Sequence, residues 1–288
     1  MITKMINGQE KTVSGDGGII EPITTNPNLL DNPWFTVNQR GQSSYGANVY
    51  SVDRWKRSSD LANTGTITVN SGGVNVTLGT GNTRASLVQK IEDDSFLNGR
   101  EITLSVKVGN NIYSTTGTWS STTRTSNVPI DTNIDVTYGQ GIVIVSFKSD
   151  TSNIRAIKLE IGSTSTLHLD TAPDYTTELL KCERFFWRMD MPLSGCNIAF
   201  GYANNATNFY APFNTPIPMR ATPTLTYSGT FAVKSGSQNT LSVSSISWVN
   251  NGAQYGTLKI ISSGMTGDMF ALLYSNSNNC YMDFDAEL

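Results

Sequence analysis

The sequence predicts an all-β protein built from two sandwich-like units. Three observations carry that reading. Hydrophobic and charged residues are both modest, at 38% and 15% of 288 residues, and Ser, Thr, Asn and Gly make up the difference. Short segments alternate apolar and polar residues with a period of two, the signature of a half-buried strand. Turn signals rich in Gly, Asn and Ser separate those segments. A helical bundle would carry more charge on its outer faces, and a disordered tail would carry fewer apolar residues. The length suits about two domains.

Residues 1–27 read as a leader. Ser14-Gly15-Asp16-Gly17-Gly18 marks a turn or joint, and Pro22 and Pro27 interrupt regular structure. Such a leader is either an attachment arm or a frayed terminus. From Leu29 to about Ile161 the alternation is β-like. Gly65–Asn70 and Val74–Leu78 flank Ser71-Gly72-Gly73, a hairpin signal. Ala85–Ile91, Glu101–Val108, Ile142–Phe147 and Ile154–Glu160 read as further strands. Asp93-Asp94-Ser95-Phe96-Leu97 reads as one helical turn capped by its acids. About eight short strands of this kind argue for a sandwich or jelly roll.

Residues 162–177 are polar and read as a linker. Leu179, Leu180, Cys182, Phe185 and Phe186 suit either one side of a short helix or the start of a strand; a helical turn running into a strand is preferred. Beyond Arg188 the segments Thr230–Val233, Leu241–Ile246, Gly256–Ile261 and Asp268–Tyr274 read as strands of a second β domain.

Two distant runs add a family resemblance. One is Asn28-Leu29-Leu30-Asp31-Asn32-Pro33-Trp34-Phe35, continued by Asn38-Gln39-Arg40-Gly41 and Val52-Asp53-Arg54-Trp55-Lys56. The other is Ala156-Ile157-Lys158-Leu159-Glu160-Ile161-Gly162. They resemble the opening and closing segments of the carbohydrate-binding-like jelly rolls in tail fibres and receptor-binding proteins of bacteriophages and prophages. Leu180–Phe186 and Ile217–Leu225 resemble segments that follow in such proteins. The resemblance implies a jelly-roll β-sandwich with its linker over 28–177 and a second, smaller β-sandwich domain over 178–288. It places Trp34, Phe35 and Trp55 in the framework core and gives Glu160 a structural role. It also implies a homotrimer, with the strands from Leu258 to Tyr274 suited to the subunit contact, and other virion tail proteins as neighbours.

Several functions are disfavoured. The net charge is −3, and nothing resembles the basic patch that nucleic-acid binding needs. Arg54, Lys56 and Arg57 form the one small basic cluster and read as a solvated strand end. No apolar run is long enough for membrane insertion. The N-terminus lacks the apolar region of a signal peptide; synthesis in a host cytoplasm and residence in a virion are expected. Cys182, Cys196 and Cys280 are odd in number and irregular in spacing, so reduced thiols are expected.

Little in the sequence suggests catalysis. The lone His168 reads as a polar linker residue, and no nucleophile motif accompanies it. Glu92, Asp93, Asp94, Glu101 and Glu160 do not declare a glycosidase pair by spacing. No cofactor is expected. Calcium is a possibility implied by the resemblance, with Asp31 and Asp53 the nearest acids, although each suits a turn or strand-end hydrogen bond better.

Aromatic rings beside Asn-rich or polar turns are the remaining signal. Trp119 sits in a polar Thr/Ser stretch. Tyr202 and Tyr210 flank Asn204-Asn205-Ala206-Thr207-Asn208, and Trp248 and Tyr255 flank Asn250-Asn251-Gly252. Exposed rings there would stack on sugar C–H faces or anchor a protein contact; otherwise each is half-buried under its own loop. The loops of the C-terminal domain are favoured over Trp119. The expectation is a non-enzymatic adhesion protein that binds a bacterial surface glycan or protein. A structural tail or head decoration that contacts only virion proteins, and a glycan-degrading enzyme, are the alternatives.

Overall fold

A computed structural model describes residues 25–46, 48–59, 65–235, 239–265 and 267–287, and the backbone of three N-terminal strands. Those strands, β1 (Ile2–Ile6), β2 (Gln9–Val13) and β3 (Ile19–Ile20), pair antiparallel in a small sheet of their own. The expected joint at 14–18 lies outside the described residues.

The first domain is a two-sheet sandwich of antiparallel strands. Its strands are β4 (Ser44–Tyr45), β5 (Lys56–Ser59), β6 (Ile67–Asn70), β7 (Gly73–Val76), β8 (Ala85–Lys90), β9 (Glu101–Val108), β10 (Asn111–Thr118), β11 (Thr125–Asp131), β12 (Ile134–Gly139), β13 (Ile142–Phe147) and β14 (Thr151–Ile161). One sheet runs β10-β9-β14-β7-β6-β4 and the other β11-β12-β13-β8-β5. Inward residues of both sheets form one core that includes Trp55, Leu87, Leu104, Trp119, Val145, Phe147 and Leu159. At the 71–73 turn Gly73 has φ +147°, and a Cβ there would lie 2.1 Å from the Ile154 carbonyl oxygen. Glycine permits that close approach.

The two motif runs meet in space. Leu29 N–H donates to the Leu159 carbonyl, Ile157 N–H to the Pro33 carbonyl, and the Asn28 amide to the Ile157 carbonyl. Asn32, fully buried and in the left-handed region at φ 47°, knots the opening segment. Its side chain donates to the carbonyls of Val37 and Asp53 and accepts from Val37 N–H, while its own carbonyl accepts the Trp55 indole N–H. Phe35 and Trp55 are core residues, their centroids 5.4 Å apart. Trp34 is not: it is half-buried beneath the Lys107 ammonium.

The polar stretch 162–177 is more than a tether. Lys158 and Glu160 are buried side by side. The Lys158 ammonium also reaches Asp170 at 2.8 Å, and Glu160 accepts from Thr166 N–H. Leu167 drops into the interior, whereas His168 beside it is exposed. A buried ion pair needs such extra partners to offset lost hydration. The linker ends in α1 (Tyr175–Glu183), three residues earlier than the expected start, with Asp174 capping it through Thr177 N–H.

The second domain contains β15 (Phe186–Met191), β16 (Asn197–Ala203), β17 (Asn208–Asn214), β18 (Thr224–Ser228), β19 (Phe231–Ser235), β20 (Asn239–Val249), β21 (Tyr255–Ser262), β22 (Met269–Ser275) and β23 (Cys280–Asp285). The chain is thus all-β, with sheets stacked as layers. The larger sheet of this domain closes into a six-stranded barrel, β16-β17-β21-β20-β19-β22, and the smaller, β15-β23-β18, shares its hydrophobic core. Closure removes the barrel's free edges. An aromatic cluster of Trp187, Phe213, Trp248 and Phe284 joins the two sheets, with centroids 5.1–6.2 Å apart.

Ionic contacts join the domains. Arg54, 1% exposed, reaches Glu287 at 2.6 Å and Asp31 at 3.1 Å, and its guanidinium lies 3.4 Å over the Phe185 ring. Arg57 is also fully buried. The basic cluster is therefore not a solvated strand end: Arg54 serves as an interdomain tie. Arg40 stacks on Phe186 and pairs with Asp53. Asp53 is buried, and burial pushes its carboxyl up to about 6 despite Arg40. Both acids considered for calcium, Asp31 and Asp53, thus face arginines, and a cation there would meet like charge. The three cysteines are free, and burial pushes the Cys182 thiol up.

Candidate functional site

The candidate site is one wall of the barrel, made by β21, β17, β16 and β22. Period-two alternation turns Phe209, Ala211, Leu258 and Ile260 inward and leaves their neighbours facing out. The register then lines the outward residues up. Tyr202 lies opposite Tyr210 on one side and opposite Phe270 on the other. Tyr210 in turn lies opposite Lys259. The result is a cross-strand row, Lys259-Tyr210-Tyr202-Phe270. Phe200 lies one pleat along, opposite Leu272. Directly opposed side chains have Cβ atoms about 5 Å apart, so these rings share one surface.

The rings are open to solvent. Phe270 is 86% exposed, Phe200 68%, Tyr255 68% and Tyr202 44%. Tyr255 begins β21 and lies on the outward side of the same strand as Lys259, roughly 13 Å along it. Met269 and Ile261 add further exposed apolar surface. A monomer rarely leaves a contiguous apolar patch of this kind uncovered, because water around it is unfavourable.

The backbone beneath the rings is braced. A Cβ at Gly201 would lie 2.0 Å from the Tyr210 carbonyl oxygen, so glycine lets β16 and β17 approach closely. In the turn between them, the Asn205 side-chain oxygen accepts from the N–H groups of Thr207 and Asn208 and from the Thr207 hydroxyl. The adjoining loop is tied to that turn by Met265 N–H to the Ala206 carbonyl and Asp268 N–H to the Ala203 carbonyl. The Tyr202 hydroxyl donates to Asp268, and that bond pushes its pKa up. Such rings enter a contact already ordered, which limits the entropy lost on binding.

The five rings singled out by sequence separate into two groups. Tyr202, Tyr210 and Tyr255 are on this wall. Trp119 and Trp248 are not available as surface rings. Trp119 is 0% exposed, stacks against Tyr138, and donates its indole N–H to Asp94 at 2.8 Å. Its polar neighbours on the N-terminal side belong to the edge strand β10, whose residues are exposed or only partly buried, and Trp119 just beyond it is fully buried. Trp248 is 9% exposed and packs edge-on against Phe213 and Phe284, with Gly256 beneath its ring. Phe200 and Phe270 were missed; the signal was parity, since Phe200 has the parity of Tyr202 in its strand.

The wall offers stacking faces, three tyrosine hydroxyls and one ammonium, and it has no nucleophile paired with a base. Among the described residues no three His, Cys, Asp or Glu side chains cluster as a metal site, and no helix is long and apolar enough to cross a membrane. Comparison with family models and with curated proteins finds no match for the chain.

Proposed function

We propose that the protein is a non-enzymatic adhesion component of a phage or phage-derived particle, and that the ring-bearing barrel wall is its contact surface for a bacterial surface glycan or protein. The observation that supports this most is the concentration of solvent-open rings on braced strands, with Phe200, Tyr202 and Phe270 contiguous and half-buried Tyr210 beside them. Aromatic anchors of this kind dominate binding energy at interfaces, and each contributes on the order of 2 kcal/mol. Copies arranged as a homotrimer would multiply weak single contacts through avidity.

A second reading is favoured by the two phenylalanines, which lack a hydroxyl for sugar recognition: the wall contacts other virion proteins or a second copy of the chain. The strands expected to join subunits, from Leu258 to Tyr274, are β21 and β22 of this same wall. One residue set cannot serve a receptor and a subunit contact together. Light scattering and a glycan array, run on the wild type and on Tyr202→Ala/Phe270→Ala, separate the readings. Adhesion predicts an unchanged mass with lost array or cell-surface binding. A drop in mass to the 31.3 kDa of one chain, caused by the substitutions, would contradict it and favour the subunit contact.

A further inference from the structure

A concave surface lies at the domain junction and shares no residue with the ring-bearing wall. Its floor is the outer face of β15-β23-β18, and Arg40, Gln42, Tyr45, Asn48, Tyr50 and Lys56 of the jelly roll face it. Register sets the floor in rows: Phe186, Asp285 and Thr224 in one, Arg188, Asp283 and Thr226 in the next, with Tyr281 beyond. The groove encloses about 870 Å³, a volume typical of small-molecule sites.

The charges in it are balanced. Arg40, Lys56 and Arg188 face Asp283, Asp285 and Glu287, so no net field draws in a phosphate or a cation. Several groups are held in place. Arg188 grips both oxygens of Asp283 at 2.7 Å, donates to the Arg40 carbonyl at 2.7 Å, and lies 3.9 Å over the Tyr281 ring. Others are open: the Asp285 side chain is 42% exposed, and Thr224 and Thr226 face solvent. Each domain adds one half-buried ring, Tyr50 and Tyr281.

This set selects a ligand class. A hydroxyl both donates and accepts, so adjacent hydroxyls can bridge a carboxylate and a guanidinium without separating the ion pairs. An apolar occupant would leave those polar groups without partners. A phosphate or a cation would meet as many like charges as opposite ones. We propose that the groove binds an uncharged saccharide unit, with Asp285, Arg188, Thr224 and Thr226 as polar partners and Tyr50 and Tyr281 as the rings that meet its C–H face. This site stands apart from the barrel wall and does not depend on the wall's role.

The test is saturation-transfer NMR on the full chain. The probes are the methyl glycosides of glucose, galactose and mannose, methyl glucuronide as the anionic arm, and glucosamine as the cationic arm. At least one neutral glycoside is expected to bind, with affinity on the order of millimolar for so open a groove. Thr226→Trp fills the groove from an exposed position and should weaken binding by roughly tenfold or more. Asp285→Asn should weaken it several-fold, and Phe270→Ser, on the barrel wall, should leave it unchanged. Circular dichroism confirms the fold of each variant. No binding of any neutral glycoside, tighter binding of the charged sugars than of all neutral ones, or full binding by Thr226→Trp would each overturn the proposal. Adhesion by the wall is read from Phe270→Ser, so the two ideas fail separately.

Discussion

The jelly roll and the barrel use the same strand chemistry, and only the barrel leaves a group of its large rings on the outside. In the jelly roll Trp55, Trp119 and Phe147 are fully buried between two sheets. In the barrel Phe200, Tyr202, Tyr255 and Phe270 stand outside a closed wall whose interior is already filled by Phe209, Leu258, Ile260 and Leu273. A narrow barrel has room for one set of side chains from each strand. Rings of the opposite parity then face water unless a partner covers them. The difference teaches that the first domain puts its large rings into its core, whereas the second divides its own between a buried cluster of Trp187, Phe213, Trp248 and Phe284 and an open wall.

The largest expected effect that sharpens this contrast is Trp119→Ala. It removes a buried ring and leaves Asp94 without its indole donor, so it should destabilise the jelly roll by about 3–5 kcal/mol. Chemical denaturation measures this, and an effect under about 1 kcal/mol would mean the ring is not core. Next comes Lys158→Ala, which strands the buried Glu160. A loss of about 3 kcal/mol is expected in the same experiment, and it would show that the stretch after Ile161 belongs to the jelly roll's stability.

The junction gives a pH signature. Burial holds the Asp53 carboxyl at about 6 in the folded chain, above its ordinary 3.8, with Arg40 pulling it down and Glu287 pushing it up. A raised folded value means the native state takes up the proton. The Asp53 contribution is therefore fully favourable below about pH 4 and is lost as pH rises through about 6. Between those limits it changes by on the order of 2–3 kcal/mol. Asp53→Asn does not titrate, so its stability relative to the wild type should improve from pH 4 to pH 7. Parallel pH profiles of the two proteins would contradict the assignment.

Much of the β pattern was legible because local alternation announced it. The 67–76 hairpin, β9 and β13 follow from period and turn chemistry alone, and the preferred helical turn running into a strand after residue 177 has its counterpart in α1 and β15, with the helix starting earlier at Tyr175. Strands β10 and β11 were not legible, because Thr, Ser and Asn occupy the outward positions of a sheet-edge region and erase the apolar signal. Barrel closure was also hidden, since it depends on β16 meeting β22 some seventy residues later. Burial of Arg54 was invisible for the same reason: its partner Glu287 lies at the other end of the chain. At the site, Tyr202, Tyr210 and Tyr255 could be read from their turns. Trp119 and Trp248 could not be distinguished from them, because a polar turn beside a ring says nothing about which side of the sheet the ring takes.

The most direct test of the contrast is the double substitution Phe200→Ser/Phe270→Ser, measured for both stability and adhesion. Exposed rings that pack on nothing contribute little to folding, so the thermal midpoint should stay level or rise, with a change of stability within about 0.5 kcal/mol. Binding of labelled protein to a panel of bacterial strains should be lost wherever the wild type binds. Undiminished binding with an unchanged fold, or a large loss of stability, would contradict the account.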